Sequence, residues 1–382
     1  MTSSTLRSSR RCSLATLASA ILALALLADS TARAQVVSGN SSAAILSCHI
    51  YTLRIPEPIG DTLPPGPSIF YVFSIYDTGS TLVGIEPDFD AVILEFDDPL
   101  VPALLDVRLW GLDAVDPGTL GAPLDFPERE VQDIGIQLLP SGIPTLIGGP
   151  VTNSTVAHID YANIVTRGPY GGGNIDCPST QFFSSSAGLT PAMWADLTAF
   201  GSTAPVGGKS RGQRYYVDDI RLENGSNSAD SGSFDFLVDT GNTTTQISEP
   251  LAAALGINFG AVDDTICIGG ASPGCTGGEV LNGYLIDRVA IRSSDATEEY
   301  VIEDPLVFVK PPPAFGGAAD ANIGTNFFET TSIIVDGPGQ QLGIDKSIPV
   351  PEPGQLALLS SDVGLLFMLA RRRARSPSEG AK

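Results

Sequence analysis

Two apolar runs, 162 residues apart, end in the same tripeptide. SIFYVFSIY leads into Asp77-Thr78-Gly79, and FDFLV leads into Asp239-Thr240-Gly241. One such tripeptide is an ordinary strand-ending turn, because Asp bonds nearby backbone and Gly accepts positive φ. Two copies, each on an apolar or aromatic run and each followed by a polar residue (Ser80, Asn242), describe a duplicated strand–loop unit. The duplication continues downstream, with Leu146-Ile147-Gly148 after the first copy and Asn322-Ile323-Gly324 after the second. A chain built this way can place two carboxylates where two similar halves meet.

The rest of the chain supports an all-β reading. Short apolar, β-branched or aromatic runs recur between Gly, Pro, Asp and Ser, among them AVILEF, ALLDVRLW, IGIQLL, YYVDDIRL, YVIEDPLVFV and SIIV. That pattern predicts many short strands with frequent turns. Two segments are expected to be helical: TPAMWADLTAF (190–200) and EPLAAALG (249–256). In the second, Ser248 is the expected N-cap, Pro250 sits in the first turn and Gly256 is the stop. Residues 35–170 read as a first lobe, 171–212 as a Gly- and Ser-rich connection ordered in part, and 213–348 as a second lobe.

The ends read as targeting segments. Residues 1–34 carry Arg7, Arg10 and Arg11, the apolar run SLATLASAILALALLA, and Ala32-Arg33-Ala34, the layout of a signal peptide with a small-x-small cleavage site. Residues 349–375 hold Pro351-Glu352-Pro353, a semi-apolar stretch and Arg371, Arg372, Arg373 and Arg375, leaving 376–382 as a tail. This resembles the PEP-CTERM sorting signal of Gram-negative bacteria. The resemblance implies signal peptidase and exosortase as processing enzymes, transient membrane contact through the segment, and a destination at the cell surface, outer envelope or extracellular matrix. The basic cluster suits a cytoplasmic stop, although Asp362 interrupts the apolar part. The tail is expected to add no strand to either lobe.

Charge and rare residues narrow the chemistry. With 21 Lys and Arg against 43 Asp and Glu, the chain is strongly acidic and repels nucleic acid. Beyond Cys12 in the leader lie Cys48, Cys177, Cys267 and Cys275, an even number that suits disulfides in an exported chain. Cys267 and Cys275 bracket a short loop, which leaves Cys48 with Cys177; buried reduced thiols are the alternative. Only two histidines occur, with no HExxH and no CxxC, so no metal site is expected. No G-x-S-x-G elbow and no Walker or Rossmann glycine pattern is present. The acidic stretches EPDFD (86–90) and LEFDDP (94–99) read as solvated loops, since their spacing matches no calcium loop.

The paired Asp-Thr-Gly copies and the closing segment NIGTNFFETTSIIVDGPGQQLGI (322–344) resemble the bilobal pepsin-like aspartic proteases, with a retropepsin character in the second lobe. The resemblance implies an all-β bilobal fold with few short helices. It also implies an endopeptidase, in which Asp77 and Asp239 form a catalytic dyad and water is the nucleophile, with no cofactor. Two crowded carboxylates sharing one proton supply an acid and a base together. Gly79 and Gly241 let the loops approach without side-chain clash. Thr78 and Thr240 would brace them, and the side chains of Ser80 and Asn242 can each donate to the outer oxygen of the preceding Asp. The family closes a Tyr-bearing hairpin over its substrate. No Tyr lies between Asp77 and Tyr161, and Trp110 is the nearest candidate for that substrate-contacting place. Extended peptides are the expected substrates and a monomer the expected state. The alternative is a catalytically inactive protein of the same fold that binds peptide or matrix at the surface.

Overall fold

The computed structural model describes residues 48–55, 68–85, 104–111, 128–139, 145–170, 173–268, 275, 278–312, 319–346 and 348–349. The leader, the residues after Pro349 and both acidic stretches considered above lie outside that set. Among the described residues the fold is all-β, with short helical turns only.

The first half builds a seven-stranded sheet from β1 (Cys48–Ile55), β2 (Ser68–Tyr76), β3 (Val83–Ile85), β4 (Leu104–Trp110), β5 (Arg129–Gly135), β6 (Gln137–Leu138) and β7 (Leu146–Ile147). Its order is β5-β4-β1-β2-β7-β3-β6, and a single helical turn, α1 (Gly149–Thr152), follows β7. Next come β8 (Val156–Tyr170), β9 (Gly173–Phe183), β10 (Met193–Phe200) and β11 (Arg214–Val217). The second half adds β12 (Ile220–Asn224), β13 (Asn227–Asp230), β14 (Phe236–Val238), β15 (Gln246–Ser248) and α2 (Glu249–Ala254). It continues with β16 (Asp264–Ile268), β17 (Glu279–Leu285), β18 (Arg288–Arg292), β19 (Glu298–Glu303) and β20 (Leu306–Lys310). The chain closes with β21 (Ala321–Ile323), β22 (Ser332–Asp336), β23 (Gln341–Ile344) and β24 (Ile348–Pro349).

A twelve-stranded sheet in the order β16-β17-β20-β15-β21-β14-β11-β10-β23-β22-β8-β9 joins the halves. Its hinge is the closing segment, since β22 pairs with β8 (Ser332 opposite Asp160, Asp336 opposite Val156) while β23 pairs with β10. The remaining sheet, β13-β12-β18-β19-β24, covers the second lobe.

Alternation explains the half-buried strands. In β12, Ile220 and Leu222 are buried while Arg221 between them is exposed. The strands that carry the tripeptides differ, because Phe236, Leu237 and Val238 are all buried, as a central strand requires. One continuous apolar core runs from Tyr76 and Ile147 through Phe182 and Leu197 to Phe236, Ile323 and Ile344, so the halves share their packing.

Helix α2 forms where Ser248 caps it, its side chain accepting from the Leu251 N–H, and it ends before Gly256 at φ +65. The expected helix over 190–200 is a strand. In β10, Met193, Ala195 and Leu197 point inward with Asp196 and Thr198 outward, and strands pair on both edges. Period-2 burial overrides the helix propensity of Met, Ala and Leu there. The Gly- and Ser-rich stretch 171–212 holds β9 and β10, both members of the joining sheet. At the other end β24 pairs with β19, Pro349 standing opposite Glu298. The tail therefore contributes one residue of strand that the sequence did not foretell. Cys267 and Cys275 are disulfide-bonded to each other, and Cys177 is also in a disulfide. The side chain of Cys48 lies outside the described residues.

Candidate active site

Each tripeptide sits in the same backbone frame. In the first half β7 runs parallel to β2 (Tyr76 opposite Ile147) and antiparallel to β3 (Val83 opposite Ile147). In the second, β21 runs parallel to β14 (Val238 opposite Ile323) and antiparallel to β15 (Ile247 opposite Ala321). The Asp77 N–H donates to Ile147 O at 2.9 Å and the Asp239 N–H to Ile323 O at 3.0 Å. The Gly149 N–H reaches Ser80 O at 2.8 Å, and the Thr325 N–H reaches Asn242 O at the same 2.8 Å. Gly148 lies against Ser80 and Leu82, and Gly324 against the Thr244 backbone, each so close that a Cβ would overlap its neighbour. The two downstream glycines are thus the seats on which the loops rest, one per half.

The loops clasp each other through their threonines. Thr78 Oγ1 donates to Val238 O at 2.7 Å, and Thr240 Oγ1 donates to Tyr76 O at 2.6 Å. In return the Thr240 N–H donates to Thr78 Oγ1 at 3.1 Å and the Thr78 N–H to Thr240 Oγ1 at 3.2 Å. Both side chains are buried, so water does not compete. The clasp brings each carboxyl over the other loop's glycine. A Cβ on Gly79 would meet the Asp239 carboxyl group, and one on Gly241 would meet that of Asp77. The absence of a side chain at both glycines is therefore a steric condition for the close approach.

Asp77 and Asp239 are hydrogen-bonded to each other through their side chains. Asp77 Oδ1 accepts from the Gly79 N–H at 2.8 Å and the Ser80 N–H at 3.0 Å. Asp239 Oδ1 accepts from the Gly241 N–H at 3.2 Å, and its Oδ2 accepts from Asn322 Nδ2 at 2.8 Å. Burial raises the pKa of Asp77, opposed by the bond to Asp239, the two backbone donors and the Arg214 cation. Asp239 is held well above the ordinary carboxylate range, first by burial and next by the charge on Asp77. Two carboxyls so close and so desolvated resist ionising together, which raises both. An acid and a base side by side can take a proton from water and give one to a carbonyl oxygen.

Several expected contacts take another form. The Ser80 hydroxyl donates to Leu82 O at 3.0 Å, and it is the Ser80 backbone N–H that serves Asp77. The Asn242 Oδ1 accepts from the Thr244 N–H at 3.3 Å, which leaves the second outer contact to Asn322. Trp110 is 4 % exposed at the end of β4, and its indole N–H has no partner among the described residues. It ends β4, which pairs with β5, and residues 112–127 between them lie outside the described residues. Two further residues at the site escaped the sequence reading. Asn322 was visible only as the polar member of a pair whose other member is Leu146. Arg214 is brought in by register: Tyr216 stands opposite Leu237, so two residues on Arg214 stands across from Asp239.

The clasped pair of Asp-Thr-Gly loops, each seated on its own parallel–antiparallel strand frame, agrees with the all-β, bilobal pepsin-like fold expected from the sequence. Among solved structures the chain is similar to a protein described as edgp (10 % identity, 80 % of this chain and 96 % of that one, TM-score 0.37). It is likewise similar to basic 7S globulin from soybean (8 % identity, 78 % and 95 % covered, TM-score 0.37) and to conglutin gamma, a basic 7S globulin from lupine seeds (10 % identity, 78 % and 95 % covered, TM-score 0.35). No protein-family profile matches the chain, and no curated protein does.

Proposed function

We propose that the chain is an exported aspartic endopeptidase that hydrolyses peptide bonds with water activated by Asp77 and Asp239. The observation that carries this reading is the mutual placement of the two carboxyls, hydrogen-bonded to each other across loops locked by four threonine-mediated bonds. A fold that needed only turns at these places would have no use for two acids in contact, Asp239 buried and Asp77 half-buried, since desolvating each is costly. In the mechanism, Asp77 carries the charge and draws a proton from the attacking water. Asp239, holding the shared proton, donates it to the carbonyl oxygen as the tetrahedral centre forms. Substrates are extended peptides that pair as strands along the interlobe cleft. No cofactor enters. The signal-like leader and the PEP-CTERM-like tail support export, exosortase processing and residence at the surface of a Gram-negative cell, and the folded body works as a monomer.

A non-catalytic surface protein of the same fold is the second reading, and the interior position of Trp110 favours it. The test is cleavage of an unfolded protein by the purified chain at acidic pH, with a statine-type transition-state mimic as inhibitor. Asp77→Asn and Asp239→Asn should each abolish turnover. A wild-type chain that binds peptide without cutting it transfers the assignment to the second reading.

A further inference from the structure

Asn322 occupies a place beside the dyad where the internal repeat is broken in a chemically telling way. Counting back two residues from each Asp gives Ile75 and Leu237; the strand alongside places Leu146 opposite Ile75 and Asn322 opposite Leu237. The two positions are equivalent, yet one carries an apolar side chain and the other an amide. Asn322 Nδ2 lies 2.8 Å from Asp239 Oδ2, while its own Oδ1 is buried without a partner among the described residues. Leu146 can make no such bond to Asp77. The charged groups that face Asp239 are Asp77 from the opposite loop, which also hydrogen-bonds it, and Arg214 from β11.

We propose that Asn322 is a positioning residue that treats the two aspartates of the dyad differently: its amide holds Asp239 Oδ2 as a standing acceptor, a side-chain bond for which Leu146 offers no counterpart beside Asp77. The argument is one of donors: an Asn amide turned this way offers N–H to Oδ2, while Oδ1 accepts from the Gly241 N–H, so both oxygens of Asp239 have a donor. The same N–H also stabilises the ionised form of Asp239, so it opposes burial and keeps the acid within reach of release during turnover. The catalytic meaning of this device rests on the protease reading; its geometry does not.

The experiment therefore reads the carboxyls themselves. Full-length chain labelled with carboxyl-13C aspartate is titrated by NMR, with Asp77→Asn and Asp239→Asn spectra assigning the pair. Asn322→Leu copies the residue the other half tolerates, Asn322→Ala stands beside it should Leu crowd the site, and circular dichroism checks folding. Both variants should move the Asp239 midpoint up by roughly one pH unit, the scale of one lost hydrogen bond to a charged group. Leu146→Asn should move Asp77 down in the same way and widen the difference between the carboxyls. Midpoints within about 0.2 units of wild type in both Asn322 variants, which would mean this bond is worth far less than that scale, overturn the proposal. Shifted midpoints in a chain that cuts no peptide leave it standing and sink the protease reading alone.

Discussion

The threonine clasp gives the most demanding stability prediction. Thr78→Val keeps the branched shape and volume of the side chain and removes only its hydroxyl. Two bonds vanish with it: the 2.7 Å donation to Val238 O and the 3.1 Å acceptance from the Thr240 N–H. Thr78 and Thr240 are 0 % and 1 % exposed, so no water replaces them. Each buried backbone group left unpaired costs about 1–3 kcal/mol, which puts Thr78→Val at roughly 2–6 kcal/mol. Thr240→Val removes the mirror-image pair, to Tyr76 O and from the Thr78 N–H, and should cost the same. The double variant should cost less than the sum, by about 1 kcal/mol or more, because a loop already freed by one loss no longer holds the other bond in place. Denaturant unfolding of the four proteins measures all three quantities. A Thr78→Val chain within about 0.5 kcal/mol of wild type refutes the clasp, since surface-like substitutions fall in that range. Strict additivity would show instead that the loops are held independently.

Four further outcomes follow from the same contacts. Burial holds both dyad carboxyls above the ordinary 3.8, so the folded state binds their proton more tightly than the unfolded chain does. Stability from that proton is complete below the ordinary value and drains away as pH rises through the raised ones; Asp239→Asn should flatten this decline in a melting-temperature series from acid to neutral pH. Arg214 opposes the raised values of both carboxyls, so Arg214→Met should move the dyad's NMR titration upward, and an unmoved curve would remove Arg214 from the site. Trp110→Ala should destabilise by about 3–5 kcal/mol as a core truncation, whereas Trp110→Phe, which deletes an N–H without a partner among the described residues, should cost far less; a KM effect without a stability effect would return Trp110 to the substrate. Ending the chain after Val350 should leave its melting temperature unchanged, while ending it after Lys346 removes β24 from β19 and should lower it.

The sequence was legible where it repeats. Asp77 and Asp239, the glycines beside them, and the later pair Gly148 and Gly324 all announce themselves because the same backbone frame is needed twice. A frame built on strand ends and close approach leaves few choices of residue. The α2 cap was legible for a local reason, since Ser248, Pro250 and Gly256 each act within one turn. β10 was misread because its composition favours helix while its burial alternates, and the partners that decide the matter, β11 and β23, are distant in the chain. Its apolar positions 193, 195 and 197 do carry the period, had periodicity been weighed above propensity. Arg214 needed a register, and no local pattern encodes one.

What separates the two halves was harder to read than what they share, and the reason is physical. Equivalent positions constrain each other only through backbone geometry, which Leu146 and Asn322 satisfy equally well as strand residues opposite Ile75 and Leu237. Side-chain chemistry at such a place is free to differ, and it can matter only if the neighbouring group can sense it. A buried carboxylate can, because one donor decides which of its oxygens accepts and how tightly it keeps a proton. Apart from its bond with Asp239, the donors Asp77 meets among the described residues are backbone ones, from Gly79 and Ser80, which any residue after the turn would supply. Asp239 meets one backbone donor and one amide side chain, which only a few residue types can supply. Two loops of one design therefore need not give two equal acids. One shared proton already gives a dyad its acid and its base, and a difference at a repeated position beside it is where a duplicated site can acquire a preference between its two members.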